Sequence, residues 1–141
     1  MTQDERTIAL LAHMLQIMLW WMAPLAIFLI KRESKFVSFH ALQALLLQAV
    51  YVLLLVTGLV LWFGISFLIL AAAPASKHAP PIEFFILIPM LWLCLIGMGV
   101  LVLLAAIVYG VKAGRGEWAG YPILGRLALK ILKLRPGGSP V

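Results

Sequence analysis

Residues 31–76 read KRESKFVSFHALQALLLQAVYVLLLVTGLVLWFGISFLILAAAPAS, and after Lys35 no formally charged side chain appears until Lys77. A helix rises ~1.5 Å per residue and the hydrocarbon core of a bilayer is ~30 Å thick, so ~20 residues cross it. The uncharged run Phe36–Ser76 is twice that length. Two readings fit: two spans with a tight turn near Thr57-Gly58, or one span with an apolar extension.

Two further runs lack charge, Thr7–Ile30 and Phe84–Val111, each long enough for one crossing. The whole chain is 141 residues, 65% hydrophobic and only 11% charged, with a mean hydropathy of +1.11. A soluble domain of this size cannot cover so much apolar surface with so few charges. Soluble globular, disordered, collagenous and disulfide-rich classes are excluded, and an integral membrane protein remains. The single cysteine, Cys94, can form no intrachain disulfide and reads as a small buried residue.

The cations choose between the two readings. Arg6 precedes the first run; Lys31, Arg32 and Lys35 follow it. Lys77 stands alone between the second and third runs. Lys112, Arg115, Arg126, Lys130, Lys133 and Arg135 close the chain. With three spans, nine of these lie on one side of the membrane and two on the other; four spans give four against seven. Positive residues stay on the cytoplasmic side. The expectation is therefore an all-α integral membrane protein of the bacterial inner (cytoplasmic) membrane. It has three transmembrane helices, with the N-terminus outside and the C-terminus cytoplasmic. The spans fall at about 8–30, 48–70 and 84–111. Asp4 and Glu5 replace the basic start of a signal peptide, so the first run is expected to stay as a span.

The excess of the second run becomes an interfacial helix over about 35–47, with Ser34 as its N-cap. The stretch Ala72–Glu83, with Pro74, Pro80 and Pro81, reads as an extracytoplasmic connector. Beyond the third span, the glycines at 110–120 break the helix. A basic amphipathic helix follows at about 122–134, ended by Pro136-Gly137-Gly138. Arg126, Lys130 and Lys133 share one face; Ile123, Leu124, Leu127, Ile131 and Leu134 take the other. Such a helix lies in the headgroup layer, and those three cations are its expected lipid contacts. Membrane lipids and other membrane subunits are the expected partners; nucleic acid is not.

Chemistry is sparse. The five carboxylates Asp4, Glu5, Glu33, Glu83 and Glu117 lie at ends or in loops, so no span carries a proton-relay acid. No phosphate loop or hydrolase constellation is present, and no enzymatic activity is expected. His13 and His40 are the sharpest candidates, with His78 in the outer connector. Three-span topology separates His13 and His40 by roughly 20–25 Å of depth, too far for one metal ion. Each alone is a candidate axial ligand for a haem or chlorophyll-type pigment, although no cofactor is required. The plainer alternative is a neutral histidine hydrogen-bonded within a helix interface.

Polar and small residues form stripes. Arg6, Ala9, His13, Gln16, Trp20, Pro24 and Ile27 advance by three or four along the first run. His40, Gln43, Ala44, Leu47, Gln48 and Tyr51 do so along the second, and Ala106, Gly110 and Gly114 repeat every four along the third. Intramembrane His and Gln are costly against lipid, and small residues permit close approach, so these stripes should face protein. Trp20, Trp21 and Trp62 lie at mid-depth, where an indole N–H needs a partner.

The segments ERTIALLAH (5–13), Pro24-Leu25, KRESKFVSFHALQA (31–44) and GEWAGYPILG (116–125) resemble a widespread, uncharacterised family of small bacterial membrane proteins. That family is distantly similar to the small channel-like subunit of the chloroplast inner-envelope protein import translocon. The resemblance covers about Glu5–Ala128. It implies a helical membrane fold and permits a role in protein transport. The chloroplast relatives have four spans; the charge count argues for three here. Physically, the marks suggest that the Phe36–Ala44 turns dock on Gly116–Gly125, with His40 or Gln43 satisfying loop carbonyls.

The leading expectation is a non-enzymatic accessory or scaffold subunit that packs helices in a larger inner-membrane complex, for example an energy-transducing one. The alternative is a protein-translocation or channel-like component, in which Gln16, Gln43 and Gln48 line water. A small lytic pore protein is a third reading.

Overall fold

The computed structural model describes residues 1–72 and 82–135. Most of the expected connector, with Lys77 and His78, and the Pro136-Gly137-Gly138 stop lie outside the described residues. Among the described residues five helices follow in order.

Thr2 caps α1 (Gln3–Leu19). Its hydroxyl accepts the Glu5 backbone N–H at 3.2 Å, and the Glu5 carboxylate accepts the Thr2 N–H at 2.7 Å. This reciprocal pair satisfies amides that a helix start otherwise leaves open. Pro24 ends the helix from downstream. A proline offers no N–H to the carbonyl four residues earlier, here that of Trp20, and its ring crowds that carbonyl. Trp20 adopts φ +54 and ψ −133, and the chain restarts as α2 (Met22–Ile30) with Pro24 in its first turn. α1 and α2 pack on one another. Ser34, just past α2, donates its hydroxyl to Glu5 Oε1 at 2.7 Å.

That bond corrects the expected first span. The run 8–30 is a helical hairpin that returns to the end from which it started. It also sets Glu5 beside the loop bearing Lys31, Arg32 and Lys35 rather than opposite it.

α3 (Lys35–Ala72) is one continuous helix of 38 residues, roughly 57 Å long. Ser34 Oγ accepts the Val37 N–H at 3.3 Å, the expected cap. Burial changes along α3: Phe36–Ala41, Gln43, Ala44 and Gln48 are buried, and the later turns are largely exposed. α4 (Ile82–Gly114) follows, with Pro89 inside it. Among the described residues two helices, Lys35–Ala72 and Phe85–Gly114, are long and apolar enough to cross a membrane. α5 (Leu124–Ile131) is short and amphipathic.

The chain divides into two compact units. The first combines Met1–Val50 with Val102–Val141. Its apolar centre is Ala9, Phe36 and Ala113, with Trp118 packed against it. The small-residue stripe of α4 receives α1. A Cβ on Gly110 would stand 3.2 Å from His13 Cβ, and one on Gly114 would stand 2.8 Å from Leu10 Cδ1. Larger side chains at either position would drive the helices apart.

The second unit is Tyr51–Leu101. Leu53, Val60, Leu61, Phe63, Phe67 and Leu68 of α3 are exposed, as are Phe85, Trp92, Leu93 and Leu101 of α4. Such a surface suits hydrocarbon rather than water. The Trp62 indole donates to the Leu87 carbonyl at 3.2 Å, the partner a mid-depth indole needs. Cys94 is exposed, not buried as expected. A pair of helix segments has too little interior to enclose it.

Candidate functional site: a buried histidine, tyrosine and glutamine latch

The first unit gathers four segments around two imidazoles. α1 supplies His13 and Gln16; α3 supplies Phe36, Phe39, His40, Gln43 and Gln48. The loop after α4 supplies Glu117, Trp118 and Tyr121, and α4 supplies Tyr109. Phe36, Phe39, His40 and Gln43 fall at i, i+3, i+4 and i+7, so one face of α3 carries them all. His13, His40 and Gln43 are fully buried, and Gln16 nearly so.

His13 Nε2 and His40 Nδ1 lie 3.2 Å apart. The expected separation in depth is therefore corrected. It assumed that α1 enters from the side opposite α3, whereas both helices begin at the same end. The order of protons follows from the last acceptor. His40 Nε2 is 3.1 Å from the Glu117 carbonyl oxygen, which can only accept, so His40 Nε2–H donates. With the rings neutral, His40 Nδ1 accepts from His13 Nε2–H. His13 Nδ1 then accepts from the Tyr121 hydroxyl at 3.1 Å. The result is a one-way chain from Tyr121 O–H through His13 and His40 to the Glu117 carbonyl, with the tautomers assigned from the network. Burial holds the Tyr121 phenol well above its usual pKa range, so it keeps the proton it donates.

Aromatic edges enclose the chain. Phe36 and Phe39 meet His40 at centroid distances of 4.6 and 5.2 Å, both near T-shaped. Trp118 meets Phe36 at 5.2 Å and Phe39 at 5.3 Å. Tyr109 lies 4.3 Å from Tyr121, with the Lys112 ammonium 5.5 Å from the Tyr109 ring centroid. Such contacts orient rings beyond what burial alone achieves.

Gln43 closes the latch. Its Oε1 accepts the Tyr121 backbone N–H at 2.8 Å. The Phe36–Ala44 turns thus dock on Gly116–Gly125, His40 taking a loop carbonyl and Gln43 a loop amide. Gly120 and Gly125 make that docking close. A Cβ on Gly125 would stand 2.7 Å from Gly120 Cα. Gly116, at φ +84, turns the chain out of α4, a conformation that favours glycine. A Cβ there would sit 3.0 Å from Arg6 Nε, so Arg6 belongs to this end of the unit.

Several glutamine atoms are buried without a protein partner: both amide atoms of Gln16, Gln43 Nε2 and Gln48 Oε1. Gln48 Nε2 reaches only the Gln16 carbonyl, at 3.4 Å.

Of the expected interface residues, His13, Gln16, His40, Gln43, Gln48, Ala106 and Gly110 are buried in this unit, and Gly114 abuts Leu10. Trp20 is not among them; it stands exposed at the hairpin turn. Arg126 and Lys130 are exposed on α5, and Lys133 is exposed just beyond it. A ring binding His13 or His40 as axial ligand would have to displace the partners that all their nitrogens have here. Among the described residues, no cluster of three or more His, Cys, Asp or Glu side chains could hold a metal ion. Tyr121, Trp118, Phe36 and Phe39 complete the latch but escape a search for titratable groups inside apolar runs. The signal that finds them is the aromatic spacing at 36 and 39, one turn before His40.

A family model describing magnetosome magnetite crystal formation proteins (the MamF/MmsF family) matches residues 4–128, and the chain belongs to that family. No curated protein and no solved structure matches it.

Proposed function

We propose that this member of the MamF/MmsF family is a non-enzymatic accessory protein of a membrane in which magnetite crystals form. Its first unit, the cap, is a latched body at a membrane surface, and the exposed apolar turns of α3 and α4 lie in hydrocarbon. One observation carries the reading: every ring nitrogen of His13 and His40 is engaged, by the other imidazole, by the Tyr121 hydroxyl or by the Glu117 carbonyl. The rings that could do chemistry are used to fasten α1, α3 and the segment leading to α5. Imidazoles engaged at both nitrogens support a positioning role rather than turnover.

The cap also supports a revised topology. Arg6 joins Lys31, Arg32, Lys35 and the C-terminal cations, so ten of eleven Lys and Arg residues belong to one unit. By the positive-inside rule that face is cytoplasmic, with both termini on it. α1 and α2 then form a re-entrant hairpin, and α3 and α4 are the two crossings. The spare amide atoms of Gln16, Gln43 and Gln48 favour a channel-like component as the second reading, in which they line water.

Conservative variants test the proposal. Tyr121→Phe and His40→Gln keep the shape of the latch while breaking its proton order. In magnetite-forming cells, with the variants inserted at normal levels, crystal number and size stay unchanged if the cap only positions. Loss of crystals at normal protein levels contradicts a non-chemical role. For the channel reading, Gln48→Cys in a Cys94→Ala background reacts with a small water-soluble thiol reagent only if water reaches it.

A further inference from the structure

α5 presents three faces. Gly125 and Ala128 are buried against the latch. Ile123, Leu127 and Ile131 form an exposed apolar line at four-residue intervals. Arg126 and Lys130 are exposed beside that line, and Lys133, at φ +53, is exposed just past the end of the helix. An apolar line edged by cations sits at the boundary of headgroups and acyl chains, apolar side inward. This fixes the level of the bilayer surface along α5.

At that level a pocket of about 270 Å³ opens between α5 and the docked loop. Its walls are Phe39, Trp118, Tyr121, Pro122 and Leu129, and Arg126 stands at its edge; no carboxylate lines it. Its volume falls below the ~300 Å³ of a site for a whole small molecule. It fits the end of a larger amphiphile whose remainder stays in the membrane. Aromatic and aliphatic walls suit the start of an acyl chain. A guanidinium fork suits a phosphodiester, which it can hold through two hydrogen bonds. Lys130 and Lys133 add positive charge that repels a choline or other cationic headgroup.

We propose that this pocket binds one anionic phospholipid, its phosphate on Arg126 and the head of one acyl chain between Trp118, Pro122 and Leu129. The proposal rests on the membrane reading above and goes beyond it. A diffuse basic surface attracts anionic lipids in proportion to its charge, whereas this site takes a single molecule and depends on one residue. The latch builds the site, because Phe39, Trp118 and Tyr121 serve both.

Native mass spectrometry of the detergent-solubilised full chain tests it, with phosphatidylglycerol, phosphatidylcholine and inorganic phosphate as separate probes. The expected result is one retained phosphatidylglycerol, at least tenfold preferred over phosphatidylcholine, with no retention of inorganic phosphate. Arg126→Gln, an exposed change that leaves the core intact, lowers phosphatidylglycerol retention at least tenfold. Lys133→Gln lowers it about twofold, and Leu129→Trp, which fills the pocket, abolishes it. Equal losses for Arg126→Gln and Lys133→Gln, equal retention of the two lipids, or binding of free phosphate alone would each overturn the proposal. All these variants still insert into the membrane, so a failure here leaves the accessory reading standing. Failure of that reading shows instead as altered crystals in the latch variants.

Discussion

His40 faces the part-buried Glu117 carbonyl on one side and the buried His13 on the other, so removing its ring leaves both without it. His40→Ala is expected to cost about 1–3 kcal/mol for each group left unpaired, measured as a lowered Tm in detergent; an unchanged Tm would refute the proton order drawn here. Glu5 gives a pH signature. Its carboxylate accepts from the Ser34 hydroxyl and the Thr2 amide, and these hold its pKa below the ordinary value of 4.5, the Ser34 bond contributing most. A lowered carboxylate pKa adds stability that is present above the ordinary value and lost as pH falls through the folded one. Hydrogen-exchange protection in the first turn of α1, corrected for intrinsic rates, should hold above pH 4.5 and decline as the pH falls below it. A flat profile to pH 3 would remove Glu5 from this role. The polar members of the latch were legible in the sequence, because His and Gln inside an apolar run must find protein. Their pairing was not. The order of charges along the chain is compatible with α1 entering from either side, and the distance between His13 and His40 depends on which.

At the scale of elements, Pro24 and Gly125 decide most. The uncharged run Thr7–Ile30 has the length of a span, and length alone hides the break. The break was readable in Pro24, whose missing donor falls at Trp20. The docking of α3 on the loop before α5 was legible as the pairing of two marked segments, and the small-residue spacing of α4 indicated a close helix contact without naming α1 as the partner. The exact closeness at Gly120 and Gly125 was not legible, since a glycine after a helix break has many uses. Gly125→Ala is expected to overpack the seat by about 1–3 kcal/mol and to loosen α5. In contrast, Gly58→Ala meets nothing within 4 Å and is expected to leave stability level or raise it by up to about 1 kcal/mol. Thermal melts of the two variants side by side check this. Equal effects would mean that α5 does not press on Gly120.

At the scale of the molecule, composition sufficed to place the chain in a membrane, and the cations sufficed to give their own face. The two-crossing proposal needed the hairpin. Once α2 returns beside Glu5, the cation bias sharpens, with only Lys77 set apart from the other Lys and Arg residues. The side of the N-terminus tests this account most directly. In a Cys94→Ala background, Thr2→Cys and Lys133→Cys are labelled with a membrane-impermeant maleimide in intact cells and in inverted vesicles. The account predicts that both positions react in inverted vesicles and neither in intact cells. Labelling of the two positions from opposite faces would contradict the hairpin, and with it the latch that joins α1 to α3.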